Sequence, residues 1–174
     1  DNANMSTPPD GRNPRMQMYL QHVAHTPYSL NGDPFSPTNV GDEADTVYHE
    51  YTHGLSNRLN VDVDGSSTLG GGQAGAMGEA WSDWYAMDYL VRQRLQRDKK
   101  NKVDLRIFQY DGAGVFLDRT QPIDCKVGSA AARCNGGTTG HTGGYTYADY
   151  GDIVGGPEVH GDGELWTETL WDLR

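Results

Sequence analysis

The segment "HEYTH" contains the residues of this sequence with the clearest chemistry. His49 and His53 are four positions apart, and on an α-helix that spacing puts both imidazoles on one face, where they can bind one zinc ion. Glu50 is rotated by about 100° from His49, away from direct coordination and toward the open position of the metal. The segment therefore predicts two metal ligands and a general base. The alternative is two helix-surface histidines brought together by chance.

A second segment, "GEAWSD", offers a third ligand. Glu79 and Asp83 are again four positions apart on a predicted helix, so their carboxylates face one way. A catalytic zinc ion takes three protein ligands and keeps one open position, which makes Glu79 the predicted third ligand. Asp83, one turn further on, would accept the outer N–H of a zinc-bound histidine and fix its tautomer. Taken alone, the pair would be an ordinary solvated helix face.

These side chains require helices, and the hydrophobic pattern predicts them over residues 42–57, 76–97 and 158–173. A strand is predicted over residues 15–24, and short strands and loops over residues 98–157. The Gly-rich segment between the first two helices is predicted to be a loop throughout. With 23 glycines and 8 prolines in 174 residues, the predicted fold is α+β, mainly helical with long loops.

The amino-acid composition restricts the classes of partner that the protein is expected to bind. A chain of 174 residues suits one domain, and 14 basic against 24 acidic residues give a net charge of −10. Such a chain repels phosphate backbones and anionic lipid, so no nucleic-acid partner is expected. No run approaches the roughly 18 apolar residues that a membrane span needs, so no membrane partner is expected either. A monomer is predicted.

The two cysteines, Cys125 and Cys134, lie nine positions apart in "CKVGSAAARC", a spacing unlike that of zinc knuckles. They form either a loop disulfide or a pair of free thiols, and the residues alone leave both open.

The segment "NVDVDG" places Asn60, Asp62 and Asp64 like the first half of a calcium loop. The twelfth position of that loop would be Gly71 and not a bidentate glutamate. An Asp-rich turn is therefore preferred, and a Ca²⁺ site is the second interpretation.

Four segments, "DNANMSTPPDG", "HEYTHGLSNRL", "MGEAWSDW" and "VHGDGELWTETLWDL", closely resemble the fungalysin family of secreted zinc metallopeptidases, which are thermolysin-like glutamate-ligand zincins. The resemblance spans nearly the whole chain. It implies a thermolysin-like zincin catalytic core with an active-site helix and a second ligand-bearing helix. Residues 1–174 would form a single partial catalytic domain, with the prosegment, the upstream strand lobe and the C-terminal helices absent.

The resemblance also implies roles for particular residues. His49, His53 and Glu79 would bind Zn²⁺, and Glu50 would act as the general base in cleaving internal peptide bonds of protein or peptide substrates. His160, in "VHGDGE", would donate to the developing oxyanion, the alternative being an ordinary loop histidine.

Three further residues resemble substrate-binding positions of the family. Asn2 and Ala3 look like the edge-strand pair that hydrogen-bonds substrate backbone, unless this end of the chain is frayed. Arg119 would steady the substrate carbonyl beyond the cleaved bond, or else be a solvated loop arginine.

In one respect the sequence departs from the thermolysin pattern. Residues 58–78 contain no tyrosine where such enzymes have one ahead of the ligand glutamate. His160, Tyr145 or Tyr147 would have to stabilise the oxyanion in its place.

Because the family is secreted, the resemblance implies that Cys125 and Cys134 are joined by a disulfide.

Two rival functions stay open. A zinc-binding but inactive domain would not need Glu50, and an aminopeptidase would need an acidic cluster for the substrate's free amine.

Overall fold

The structure is a computed structural model that describes residues 2–22, 35–99, 102–112, 119–135 and 137–174. Its elements are, in chain order, β1 (Ala3–Ser6), β2 (Arg15–Met18), a 3₁₀ turn (Val40–Asp42), α1 (Ala44–Leu59), α2 (Gly72–Arg92), a second 3₁₀ turn (Tyr147–Asp149) and α3 (Val159–Asp172). The described part of the chain is thus mainly helical with one small sheet, as the predicted α+β class requires.

Helix α2 differs most from its prediction. It begins at Gly72 instead of residue 76, because the Gly-rich segment already enters the helix, with Gly75 N donating to Gly71 O at 3.0 Å. It ends at Arg92 instead of residue 97. Arg94 adopts a φ of 61°, and the Arg94 and Leu95 amides bond back to the carbonyls of Val91 and Leu90. This is a Schellman motif with arginine where glycine is usual, so the sequence carries no visible stop signal.

The strand predicted over residues 15–24 is shorter in the structure. β2 ends at Met18 and pairs antiparallel with β1, from Ala3 opposite Met18 to Ser6 opposite Arg15. Beyond β2, Leu20 forms only an isolated bridge with Asn39, and residues 23 and 24 of the predicted strand lie outside the described residues.

The prediction of short strands over residues 98–157 is wrong for the described part of that region. It contains only one isolated bridge, between Val127 and Gly143. The physical reason is that several loop amides donate to buried or half-buried carboxylates instead of to strands. Asp124 accepts from Leu105 N at 3.1 Å, and Glu168 accepts from Tyr145 N at 2.6 Å. Such long-range acceptors leave no periodic signal in the local sequence.

Helix α2 packs against both α1 and α3. The largest apolar cluster consists of buried residues from α2, α3 and the segments between them: Met87, Leu90, Leu105, Ile107, Phe108, Ile123 and Trp171. The α2–α3 contact is close at Gly163, where an added Cβ would lie 3.0 Å from both Ala76 O and Glu79 Cβ. Glycine at this position therefore lets α3 cross the turn of α2 that carries Glu79.

A disulfide joins Cys125 and Cys134, which confirms the pairing that the resemblance implied. The described helices include none that is both long and apolar enough to cross a bilayer.

The crossing at Gly163 gives a test of the fold. Gly163→Ala should destabilise the protein by about 1–3 kcal/mol, because backbone atoms of α2 cannot move aside as a flexible side chain would. The matched control is Gly78→Ala, whose Cβ would meet only the Leu69 side chain at 3.6 Å. That change should stabilise α2 by about 0.5–1 kcal/mol. Thermal unfolding of both variants measures the difference, and equal midpoints would contradict the close packing.

Candidate metal centre

The three predicted ligands converge where α1 meets α2. His49 Nε2 lies 3.0 Å from His53 Nε2 and 3.4 Å from Glu79 Oε2, and His53 Nε2 lies 3.3 Å from Glu79 Oε1. The two histidines come from successive turns of α1, as their spacing predicts. Among the described residues they form, with Glu79, the only cluster of three or more His, Cys, Asp or Glu side chains arranged to hold a metal ion.

The spacing of these donor atoms suits a small tetrahedral ion. Ligand atoms about 2.0 to 2.2 Å from a tetrahedral zinc ion lie roughly 3.3 to 3.6 Å from one another. The two nitrogens lie 3.4 Å from Glu79 Oε2 and 3.3 Å from Glu79 Oε1, respectively, and the His49–His53 distance of 3.0 Å is slightly shorter. Two imidazole nitrogens and one carboxylate oxygen are also donors that zinc accepts. The residues present therefore fit a zinc ion.

Asp83 contacts Nδ1 of His49, the ring nitrogen that does not face the other predicted ligands. Asp83 Oδ1 lies 2.7 Å from His49 Nδ1, and both side chains are buried. With Nδ1–H donated to Asp83, the lone pair of His49 Nε2 points toward the other two donors. Burial lowers the pKa of His49, but the hydrogen bonds with Asp83 and Glu79 outweigh it and raise the pKa to about 9. A metal ion therefore has to displace a proton from this ring, so metal affinity rises with pH.

Arg119 is buried against the carboxylates of this centre. Its Nε and Nη2 donate to the two oxygens of Asp83 at 2.6 and 2.9 Å, and Nη2 also lies 3.3 Å from Glu79 Oε2. Burial raises the pKa of Asp83, but the charge of Arg119 and the hydrogen bond with His49 outweigh it, so the pKa lies below its usual range. Arg119 is thus not a solvated loop arginine. Its contact with a substrate carbonyl stays a prediction.

Phe108 is a neighbour of the centre that the sequence analysis did not identify. Its ring lies 5.2 Å from that of His49, edge to face, and the Arg119 guanidinium lies 5.2 Å from the same ring. Its backbone amide donates to Asp45 Oδ2 at 2.7 Å, which ties the segment to the first turn of α1. A lone phenylalanine in a long loop gives no sequence signal for such a contact.

The centre opens into a cavity of about 520 Å³. Its wall includes Glu50, which is 6% exposed and lies beside the three predicted ligands. Burial raises the pKa of Glu50, although His49 and His53 act in the opposite direction. A carboxylate with a raised pKa beside a metal centre is placed to exchange a proton with a molecule in the cavity.

His160 also lies on the cavity wall, in the first turn of α3. Its Nε2 is 3.6 Å from Glu79 Oε2, and its Nδ1 is 2.5 Å from Glu158 Oε1. Glu158 caps α3 and accepts from Gly161 N at 2.8 Å. The sequence analysis missed Glu158. The available signal was an acidic residue at a helix start, two positions before a candidate histidine.

Tyr145 and Tyr147, the tyrosines predicted as alternatives to His160, lie outside the cavity lining. Tyr145 is buried, and its hydroxyl lies 2.5 Å from Thr120 Oγ1. Tyr147 is mostly exposed, with its hydroxyl 3.4 Å from Gln73 Oε1. Neither lines the cavity, whereas His160 does.

Asn2 and Ala3 lie on the same cavity wall. Asn2 O accepts from Tyr19 N at 3.2 Å, and the Asn2 side chain accepts from Ala3 N at 2.8 Å. In the described part of the chain, β2 is the only strand paired with β1. Pairing of this strand with a substrate backbone stays a prediction.

The "NVDVDG" segment lies in the turn between α1 and α2. Asp62 Oδ1 accepts from Asp64 N at 3.0 Å, and Asp64 Oδ1 accepts from Ser66 N at 2.8 Å. This is the hydrogen bonding of an Asp-rich turn, the preferred interpretation of the sequence.

A mainly helical fold with two histidines and a glutamate converging from two helices defines a candidate metal-dependent enzyme centre. Comparison with known families gives the class: the family model described as Fungalysin metallopeptidase (M36) matches residues 1–174. The chain belongs to this family, as the resemblance predicted.

Individual relatives agree. Extracellular metalloproteinase 2 of Trichophyton rubrum is 38% identical over 185 residues, covering 99% of this chain and 23% of the relative. Extracellular metalloproteinase 2 of Arthroderma benhamiae is 36% identical over 181 residues, with the same coverage. Extracellular metalloproteinase 10 of Coccidioides posadasii is 44% identical over 103 residues, covering 59% of this chain and 14% of the relative. The chain spans about a quarter of the length of the first two relatives.

The ligand geometry predicts the outcome of removing one donor. Glu79→Ala should fail to retain a full equivalent of zinc after dialysis, because two histidines alone leave the ion with too few protein ligands. Asp62→Ala removes a carboxylate from the Asp-rich turn and should retain the full equivalent. Elemental analysis of both purified variants measures this. Zinc retained at full occupancy by Glu79→Ala would show that Glu79 is not a ligand.

Proposed function

We propose that this chain carries the catalytic centre of a secreted, zinc-dependent endopeptidase that hydrolyses internal peptide bonds of proteins. One observation carries the proposal: Glu50 lines the same cavity as two imidazole nitrogens 3.0 Å apart and the carboxylate of Glu79, whose Oε2 and Oε1 lie 3.4 and 3.3 Å from them. Membership of a metallopeptidase family supports it. The part of the chain described would belong to a thermolysin-like zincin core, within a catalytic domain that extends beyond residues 1–174.

The metal would be held by His49, His53 and Glu79. When bound, zinc supplies Lewis acidity toward an attacking water molecule and toward the scissile carbonyl group. Glu50 accepts the proton of the attacking water and later delivers it to the leaving amine. Its burial favours this exchange, because a raised pKa brings a carboxyl group closer to the pH at which it works.

His160 stabilises the negative oxygen that develops on the substrate carbonyl. With Glu158 accepting from Nδ1, a protonated His160 ring still has its Nε2–H available for donation into the cavity. Glu158 thereby fixes the orientation of the ring. One preorganised donor of this kind contributes about 2 to 4 kcal/mol to transition-state stabilisation.

Secretion is supported by two observations. The relatives are named extracellular metalloproteinases. The disulfide between Cys125 and Cys134 is typical of proteins that mature in oxidising compartments.

The role of Glu50 gives the most direct activity test. In the full-length protein, Glu50→Gln should retain one equivalent of zinc and lose about 10²- to 10⁴-fold in turnover, because it removes a proton acceptor and no ligand. The assay uses an internally quenched peptide blocked at both ends, with an aminoacyl amide as a second substrate. Wild-type cleavage of the amide alone would indicate an aminopeptidase. Undiminished turnover by the variant would exclude Glu50 as the base.

A second test concerns His160. His160→Ala in the full-length protein should keep its zinc and its KM while kcat falls about 100-fold, since the lost interaction is made mainly in the transition state. The control is His141→Ala, which removes an exposed histidine that pairs with Asp149. That variant should match the wild type in both constants. Loss of zinc from His160→Ala would instead make His160 a ligand, and unchanged kcat would leave it without a catalytic role.

A further inference from the structure

Glu164, on the turn of α3 that follows His160, binds the loop segment that carries Arg119. Thr120 N donates to both Glu164 carboxylate oxygens, at 2.8 and 2.9 Å. Oε2 also accepts from Thr120 Oγ1 at 3.0 Å and from Gln121 N at 3.2 Å. One carboxylate thus receives the donors of two consecutive loop residues.

The same loop segment reaches the metal centre through the side chain of Arg119. The guanidinium holds both oxygens of Asp83, and Asp83 in turn holds His49 Nδ1. A connected path therefore runs from Glu164 through the loop to one predicted metal ligand. A second branch runs from Arg119 to Glu79 Oε2 at 3.3 Å.

Because this path is buried, a change at Glu164, where the path begins, should affect the residues further along it. Glu164, Arg119, Asp83 and His49 are each less than 5% exposed, at 3%, 4%, 0% and 4%. Bulk water therefore cannot easily replace a lost hydrogen bond along the path. Residues 119–121 belong to no helix or strand, so the contacts of Glu164 substitute for the backbone ladder that would otherwise fix the loop.

We propose that Glu164 is a positioning residue for the metal centre, fixing Arg119 and through it the carboxylates of Asp83 and Glu79. Glu164 does not line the cavity, and its hydrogen bonds are with Thr120 and Gln121. The inference rests on the proposed function, in that these ligands bind zinc. It adds that the affinity and geometry of the zinc site depend on a carboxylate of α3, a helix that carries none of the three ligands.

Glu168 provides a matched control one turn further along α3. It is 3% exposed, like Glu164, and it accepts from Tyr145 N at 2.6 Å and from Gln121 Nε2 at 2.7 Å. Burial raises the pKa of both carboxyl groups, and the hydrogen bonds that they accept act in the opposite direction. The two glutamates are therefore alike in burial and in chemistry. Only Glu164 binds the backbone next to Arg119.

The experiment measures zinc affinity of the full-length protein by competition with a chelator, together with the visible absorption spectrum of the Co²⁺-substituted protein and the thermal unfolding midpoint. Glu164→Gln replaces an acceptor by an amide NH₂ that faces the Thr120 amide. We expect its zinc dissociation constant to rise about 10- to 100-fold, the range typical for partners of metal ligands, and its Co²⁺ bands to shift. Glu168→Gln should lower the unfolding midpoint while changing the dissociation constant less than about twofold and leaving the Co²⁺ spectrum unchanged.

If Glu164→Gln does not fold, Thr120→Val tests the same link by removing one donor to Glu164, and its zinc dissociation constant should rise about threefold. Wild-type zinc affinity and Co²⁺ bands in Glu164→Gln, or in Thr120→Val where that variant replaces it, would overturn the proposal. Equal loss of affinity in Glu168→Gln would also overturn it, because it would mark a general loss of stability. Peptide cleavage by the wild-type protein is measured separately. A zinc-binding wild type that cleaves no peptide would refute the proposed function and leave the affinity comparison intact.

Discussion

The buried contact between Arg119 and Asp83 is the interaction on which the rest of the site depends. Asp83 has no exposed surface, and its two oxygens are held by Arg119 on one side and by His49 on the other. A buried carboxylate is tolerated only when such partners satisfy it, and removing one partner of a buried ion pair typically costs about 3–5 kcal/mol. The position of Arg119 is therefore strongly constrained.

This constraint holds residues 119–121 in place although they belong to no helix or strand. Arg119 reaches Asp83 from a loop, and the Thr120 and Gln121 amides of that loop donate to Glu164 of α3. Helix α3 in turn can approach α2 closely because Gly163 has no side chain at the crossing. The same helix begins with His160 on the cavity wall. Helix α3 thus lines the cavity and binds the loop that carries Arg119. Through Arg119 and Asp83 it also helps to position His49, a predicted ligand.

The sequence alone was sufficient for the parts of the site that lie on helices. A four-residue spacing defines a face, so the pairs His49 with His53 and Glu79 with Asp83 could be placed before any coordinates were known. The contacts of Arg119 and Thr120 could not be derived in this way, because their partners lie 36 and 44 positions away. The end of α2 was missed for a local reason, since Arg94 takes a conformation that sequence patterns assign to glycine. Strands were predicted wrongly where loop amides bind distant carboxylates.

We propose above all that two histidines and one glutamate of this chain hold a single zinc ion with an open coordination position. X-ray absorption at the zinc edge of the purified full-length protein tests it most directly. We expect a four-coordinate ion with two imidazole nitrogens and two oxygens at about 2.0 to 2.2 Å, one oxygen from Glu79 and one from solvent. A spectrum requiring sulfur ligands, six oxygen ligands or fewer than two imidazoles would contradict it.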